Sequence, residues 1–541
     1  MSTCLKRVVR GAVLGILTEM LGTHGLRAAP KEIPYSNPII AGDYPDPSVI
    51  RVGREYWATA TTSEWAPLFP LLHSNDLVNW GHLENVFTEP PAWSTGNYWA
   101  PEISEHEGQF YVYYVARKRD GPLSIAVAIA KAPRGPYTDH GPLVSQEAGS
   151  IDPVTALDEK GERYLIWKED GNSRNLPTPI WAQKLSDDGA SLVGEMKELF
   201  RNDAPWEGNL VEGPYVIRRK EWFYLFYSGN ACCGTGCSYA LGVARSKQLL
   251  GPWEKYPANP ILAGNSKWKC PGHGTIVTDV KGRDFLMYHA YDAQDFVYPG
   301  RQALLDEIRW ETNGWPSINQ GKGPSELAPA PQSSSSFNGE HFFFDDFKIG
   351  RLAPNWQWPQ EKKPGVQFRA GHLELSQAGK PIEGIASAVL AIRSTRGNYE
   401  ATTLVSLQGM KSGTWAGLSA YGDQNNALGI AVGPGRAVLW RRQTGKEEIV
   451  AEEAIRSPSS IYLRMRATDA HLFEFSTSID GRQWSGFSKD FDIKGDHLPP
   501  WDRGVRVAIT AGGTDNAPAR FAWFRIDRVA TRQTPDGERK K

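Results

Sequence analysis

Five short aromatic runs recur along the first three hundred residues, and their spacing constrains the fold more than any other feature. They are Tyr56–Ala60, Phe110–Tyr114, Tyr164–Trp167, Trp222–Tyr227 and Phe285–His289, about 50 to 60 residues apart. That interval is the length of a four-stranded propeller blade, and aromatic and β-branched residues favour a pleated, half-buried surface. Between the runs, His73–Trp80, Ala132–Tyr137 and Ser246–Trp253 each place a turn before an aromatic, as the outer hairpin of a blade does. The pattern predicts an all-β chain whose residues 34–328 form a five-bladed β-propeller, closed on itself so that few strand edges face solvent. A solenoid fits less well, because no segment resembles a capping repeat.

Each aromatic run follows a strand that opens on an ionisable residue: Asp46, Glu102, Asp152, Glu212 and His273. Inner strands line a propeller's axis, so these five ends are expected at one funnel. In Tyr44-Pro45-Asp46-Pro47-Ser48 the two prolines hold Tyr44 and Asp46 out of helix and present Asp46 from a rigid turn. Four carboxylates and a histidine at one mouth are unfavourable unless they bind something or shift one another's protonation. Asp43 falls outside the repeat and reads as a turn or subsite residue.

From Gly321 to Phe337 the chain is rich in Gly, Pro, Ala and Ser, with the linker proper expected at 329–338. Beyond it, runs such as His372–Leu375, Ala427–Val432, Ile461–Arg466 and Phe521–Ile526 alternate apolar and polar residues. Period-two alternation predicts a second unit at 339–531, a β-sandwich of jelly-roll type, before a polar, disordered tail at 532–541.

At the start, Lys6, Arg7 and Arg10 precede an apolar run and the pair Ala28-Ala29, the parts of a signal peptide over 1–29, although Glu19 and His24 interrupt it. This predicts a secreted or periplasmic protein. No apolar stretch reaches the ~18 residues that span a bilayer, so no membrane association is expected. Four cysteines then remain, Cys232, Cys233, Cys237 and Cys270, an even number that suits disulfides in an exported chain, with inert thiols as the other reading and the pairing left open. A zinc knuckle would need a second spaced Cys or His pair. Lys and Arg total 60 against 61 Asp and Glu, a net charge of -1 that offers no field for nucleic acid. A neutral polymer is the better partner.

Two carboxyl groups across a sugar can hydrolyse a glycosidic bond, one protonating the leaving oxygen and the other activating water or attacking directly. The set Tyr44-Pro45-Asp46-Pro47-Ser48, Ser150-Ile151-Asp152-Pro153 and Val211-Glu212-Gly213-Pro214-Tyr215, on a five-bladed pattern, resembles glycoside hydrolase family 43. The resemblance implies Asp46 as general base, Asp152 as the residue that raises the pKa of the acid and orients it, and Glu212 as general acid of an inverting reaction. Asp345-Asp346-Phe347 and Trp356-Gln357-Trp358 look like the concanavalin-like sandwich attached to many family β-xylosidases and arabinofuranosidases. It further implies that Arg301 holds a carboxylate or a sugar hydroxyl near the base and that Trp99 stands near the sugar pocket. His273 is implied beside the substrate, facing an axial calcium ion through water. Glu102 stands where an Asp is the family pattern and receives no role. The implied activity is exo-acting release of a terminal pentose, first α-L-arabinofuranose, from plant cell-wall polysaccharide or oligosaccharide. β-Xylosidase action on xylo-oligosaccharides and a non-catalytic carbohydrate-binding propeller are the alternatives, with endo-arabinanase behind them.

Overall fold

The aromatic runs become the second strands of five four-stranded antiparallel sheets that make a five-bladed propeller. The structure, a computed structural model, describes residues 34–331, 343–379, 384–456, 458–487, 493–514 and 517–529. The expected signal peptide, the tail and most of the linker lie outside those residues. A second strand has a hydrogen-bonded neighbour on each side and another blade against each face, so both of its faces are apolar: from Phe110 to Ala116 every residue is buried. The innermost strands are β1 (Ser48–Val52), β2 (Trp99–His106), β3 (Ser150–Leu157), β4 (Val211–Arg219) and β5 (Trp268–Thr278). The ring is closed where Pro34–Ser36 pairs with Leu327–Pro329. Beside that pair the Asn37 amide grips the fifth blade, accepting from Leu305 N–H at 2.9 Å and donating to Leu305 O at 3.0 Å.

One backbone device recurs at the mouth of every blade. The pairing of β2 to β5 with their neighbours slips between Trp99 and Glu102, Ile151 and Val154, Glu212 and Tyr215, and Gly272 and Thr275. At each slip one residue takes a positive φ: Ala100 (40°), Asp152 (57°), Gly213 (57°) and His273 (44°), matched before β1 by Asp46 (52°). A bulge leaves one residue out of the ladder. Proline, which has no N–H to pair, follows it in four blades, as Pro47, Pro101, Pro153 and Pro214.

The bulge corrects the alignment read from the ionisable residues. Equivalent positions are Asp46, Ala100, Asp152, Gly213 and His273; Glu212 precedes its bulge and Glu102 lies two residues beyond. Glu102 is therefore one rung deeper, level with Ser48, whose Oγ donates to its carboxyl at 2.6 Å. Thr275 occupies the same rung of β5 and receives Val49 N–H at 3.0 Å. Gly213 has a second constraint besides its φ, since a Cβ there would come within 3.0 Å of the His273 ring.

The second unit is a β-sandwich of a six-stranded and a nine-stranded antiparallel sheet. Leu390, Leu418, Ile430 and Leu439 of the smaller sheet meet Leu463, Met465, Phe521 and Phe524 of the larger in one buried core. The other face of the smaller sheet turns to the propeller, where Trp65 is buried against Tyr421 with ring centres 5.8 Å apart. Trp358–Pro359 pairs with Trp65–Ala66 across the boundary. Asp43 lies in this interface and not in a subsite: its Oδ2 is 2.9 Å from Arg506 Nη2 and its carbonyl accepts from Arg393 Nε at 2.9 Å. Gly300 is fixed by the same carboxylate, because any Cβ there would fall 2.1 Å from Asp43 Oδ1.

Candidate active site

The mouth of the propeller holds a pocket of about 510 Å³, within the range of small-molecule sites. Asp46, Asp152, Glu212, Trp99, Arg301 and His273 all line it. Glu102 is not in its wall.

Asp46 is the most heavily supported of the acids. Arg301 Nη1 lies 3.0 Å from its Oδ1, Thr61 Oγ1 donates to its Oδ2 at 2.7 Å, and His273 Nδ1 lies 3.5 Å away. His289 Nδ1 lies 3.2 Å from Asp46 Oδ1 and 3.1 Å from the Asp46 backbone nitrogen. Burial keeps that ring neutral, pushing its pKa down to about 4. For Asp46 burial raises the pKa, but Arg301, His273 and His289 together outweigh it and hold the carboxyl well below its usual value. Arg301 is itself steered by the sandwich, through Nη2 to Asp502 O at 3.0 Å.

Asp152 has weaker support. Its Oδ2 accepts from Gly213 N–H at 2.8 Å, and His273 Nδ1 is 3.9 Å away. Burial, with the nearby Glu212 charge, raises its pKa to about 6 against the pull of His273. Glu212 is held in the opposite sense, since Lys168 Nζ sits 2.7 Å from its Oε2 and overcomes burial to lower its pKa. Lys168 also touches Asp170 Oδ1 at 3.0 Å. The two neighbouring acids are thus shifted in opposite directions, Asp152 upward and Glu212 downward.

The rim comes from several places. Trp99 meets Trp501 of the sandwich edge to face, with ring centres 6.1 Å apart, and Trp501 is 61 % exposed at the pocket. The four cysteines are paired as Cys232–Cys233 and Cys237–Cys270. The first pair lines the pocket, and the second ties the same loop to β5 three residues before His273.

Sequence reasoning misses Lys168, Asp170, His289 and Trp501. A signal exists for Lys168: a lysine ending the buried run Leu165-Ile166-Trp167 needs a carboxylate partner. His289 closes an aromatic run and reads as core. Trp501 belongs to another domain, and only its place after Pro499-Pro500 hints at exposure.

Among the described residues no group of three or more His, Cys, Asp or Glu is placed to hold a metal, and His273 Nδ1 turns to Asp46 and Asp152. Among the described residues, no helix is long and apolar enough to cross a membrane.

Three carboxylates of unlike environment in one pocket at a propeller's mouth supply the acid and base that a glycoside hydrolase needs. The chain belongs to glycosyl hydrolases family 43, whose model matches residues 35–316. Residues 344–527 match the beta xylosidase C-terminal concanavalin A-like domain. The chain is 27 % identical over 422 residues to a xylosidase/arabinosidase of Humicola insolens, covering 73 % of this chain and 76 % of that protein. It is 25 % identical over 524 residues to a non-reducing end alpha-L-arabinofuranosidase of Bacteroides ovatus, covering 91 % and 94 %. A solved family 43 protein of Bacillus licheniformis superposes with a TM-score of 0.78 at 26 % identity, covering 92 % of this chain and all of that one.

Proposed function

We propose that the protein is an inverting, exo-acting glycosidase that removes a terminal pentose, first α-L-arabinofuranose, from plant cell-wall polysaccharide or oligosaccharide outside the cytoplasm. The observation that carries this reading is the contrast between Asp46, paired with Arg301 at 3.0 Å and held well below the usual carboxylate range, and Asp152 beside Glu212, whose carboxyl is raised to about 6. Asp46 is the general base: it takes a proton from the water whose oxygen attacks the anomeric carbon. Glu212 is the general acid and delivers a proton to the glycosidic oxygen as that bond breaks. Asp152, accepting from the Gly213 N–H next to Glu212, orients the acid. Exo action is supported by Trp501 and the Cys232–Cys233 loop, which wall the pocket beside the bulges.

β-Xylosidase action is the second reading, favoured by the match of residues 344–527 to a domain named for beta xylosidases. A calcium ion reached through water from His273 stays part of the proposal. A screen of aryl α-L-arabinofuranoside and aryl β-D-xyloside, with arabinan and arabinoxylan, separates the substrates. Glu212→Gln is expected to lose at least a hundredfold in kcat/KM on the better one, and equal turnover by wild type and variant would remove Glu212 from the chemistry. NMR of the first-formed anomer tests inversion, which a retained product overturns.

A further inference from the structure

An acid that must deliver a proton is found here bonded to a cation. Lys168 Nζ lies 2.7 Å from Glu212 Oε2 and 3.0 Å from Asp170 Oδ1, and its side chain is 1 % exposed. We propose that Lys168, shared between Glu212 and Asp170, is a positioning residue that receives the negative charge developing on Glu212 as its proton leaves, and that Asp170 keeps Lys168 paired while Glu212 is neutral. The inference rests on the reading of Glu212 as the general acid.

The geometry fits each stage of proton transfer. Before the reaction Glu212 must be protonated, and a buried lysine whose only partner became neutral would be a stranded charge. Asp170 removes that difficulty, because its contact with Lys168 is already made. During the reaction the proton passes from Glu212 to the glycosidic oxygen, the anomeric carbon–oxygen bond breaks with its electron pair to that oxygen, and Glu212 becomes a carboxylate. That charge appears beside an ammonium already in place, so the contact is stronger in the transition state than in the loaded enzyme, which is the condition for catalysis. Lys168 and Asp152 thus act on Glu212 in opposite directions.

Glu212 is faced from every side by groups that enter its titration. Lys168 comes from the second strand of the third blade and Asp170 from the turn after it; Asp152 comes from β3, His273 from β5 and the Tyr239 hydroxyl from the fourth blade. Of these, Lys168 is the one cation within bonding distance of the acid. Its two carboxylate contacts keep it charged, since they raise its pKa against burial.

The test is the pH profile of kcat/KM for Lys168→Met, Lys168→Arg and Asp170→Asn, on a dinitrophenyl pentoside and on an unactivated pentose disaccharide. Removing the cation should move the alkaline limb up by about 1 to 3 units. Asp170→Asn should move it down, because Glu212 then holds Lys168 alone. Lys168→Met should lose at least tenfold more on the disaccharide, whose leaving oxygen needs the proton, than on the dinitrophenyl substrate. Lys168→Arg should bring the limb back to the wild-type position. Limbs that do not move, or move in the same direction in the methionine and asparagine variants, overturn the inference. If Lys168→Met does not fold, Asp170→Asn carries the test, and an unchanged or raised limb rejects the proposal. Glu212→Ala on the same two substrates separates the two readings: equal loss on both removes Glu212 as the acid. Selective loss on the disaccharide with unmoved limbs in the lysine and aspartate variants removes only the role of Lys168.

Discussion

Arg506 of the sandwich places Nη2 2.9 Å from Asp43 Oδ2 of the propeller, and both side chains are at most 3 % exposed. The pair joins residues 463 positions apart and anchors the loop that ends in Asp46. Removing one member leaves the other as an unpaired buried charge, at a cost of about 3–5 kcal/mol. Arg506→Met and Asp43→Asn are each expected to lower the unfolding free energy by that amount and to reduce kcat/KM by displacing Asp46. A change under about 1 kcal/mol in urea titration would show that water replaces the missing partner.

Arg301 controls the acidic limb of the reaction. Its guanidinium, 3.0 Å from Asp46, holds the base ionised at pH values where an ordinary aspartate has begun to protonate. The acidic limb of kcat/KM should therefore lie below about pH 3.9. In Arg301→Met burial acts on Asp46 with its main counterweight gone, so the limb should rise by about a unit or more. A limb that stays in place would mean that the base is another group.

Glu102 governs stability and not turnover. Burial raises its pKa to about 8, and among the described residues Ser48 is its one side-chain hydrogen-bond partner. The folded state binds this proton more tightly than the unfolded chain does, so stability is highest below the ordinary glutamate value near ~4.3 and falls as pH rises toward about 8, by about 1.4 kcal/mol per pH unit at most. Above that window the loss is complete. Glu102→Gln should flatten this part of the profile, with a higher Tm than wild type at pH 8 and the same or lower at pH 5. Parallel Tm curves from pH 5 to 9 would reject it.

The Cys237–Cys270 bridge closes a loop across 33 positions, worth about 3 to 4 kcal/mol in the chain-entropy account. It also fastens the rim loop that carries Cys232 and Cys233 into the pocket. Cys237→Ser with Cys270→Ser should lower the Tm and raise KM more than it lowers kcat, because the wall loosens while the acids stay on their strands. An unchanged KM on oligosaccharide would separate the loop from substrate.

The propeller is legible because a blade's length and its doubly buried second strand leave a periodic aromatic signal. Asp46, Asp152 and Glu212 are legible because each sits within two residues of a proline in a compact motif. The misplacement of Glu102 has a definite origin: charge is the conspicuous marker, whereas the equivalence of the blades is carried by a bulge and the proline after it. Asp43, Lys168 and Trp501 draw their meaning from partners on distant segments, and local pattern holds no record of such pairings.

The bulge has a consequence for how this scaffold can change. Its shape is set by backbone, with a proline after it in four of the five blades, so a side chain at such a position can change without altering the turn wherever its neighbours leave room. Three are committed to ionisable groups, Asp46, Asp152 and His273, while Gly213 is kept small by the neighbouring ring and Ala100 carries only a methyl group. The mouth is in effect a five-place template in which reactivity is written by occupancy, and the second place is the one where a new functional group could be grafted with the backbone already prepared to aim it.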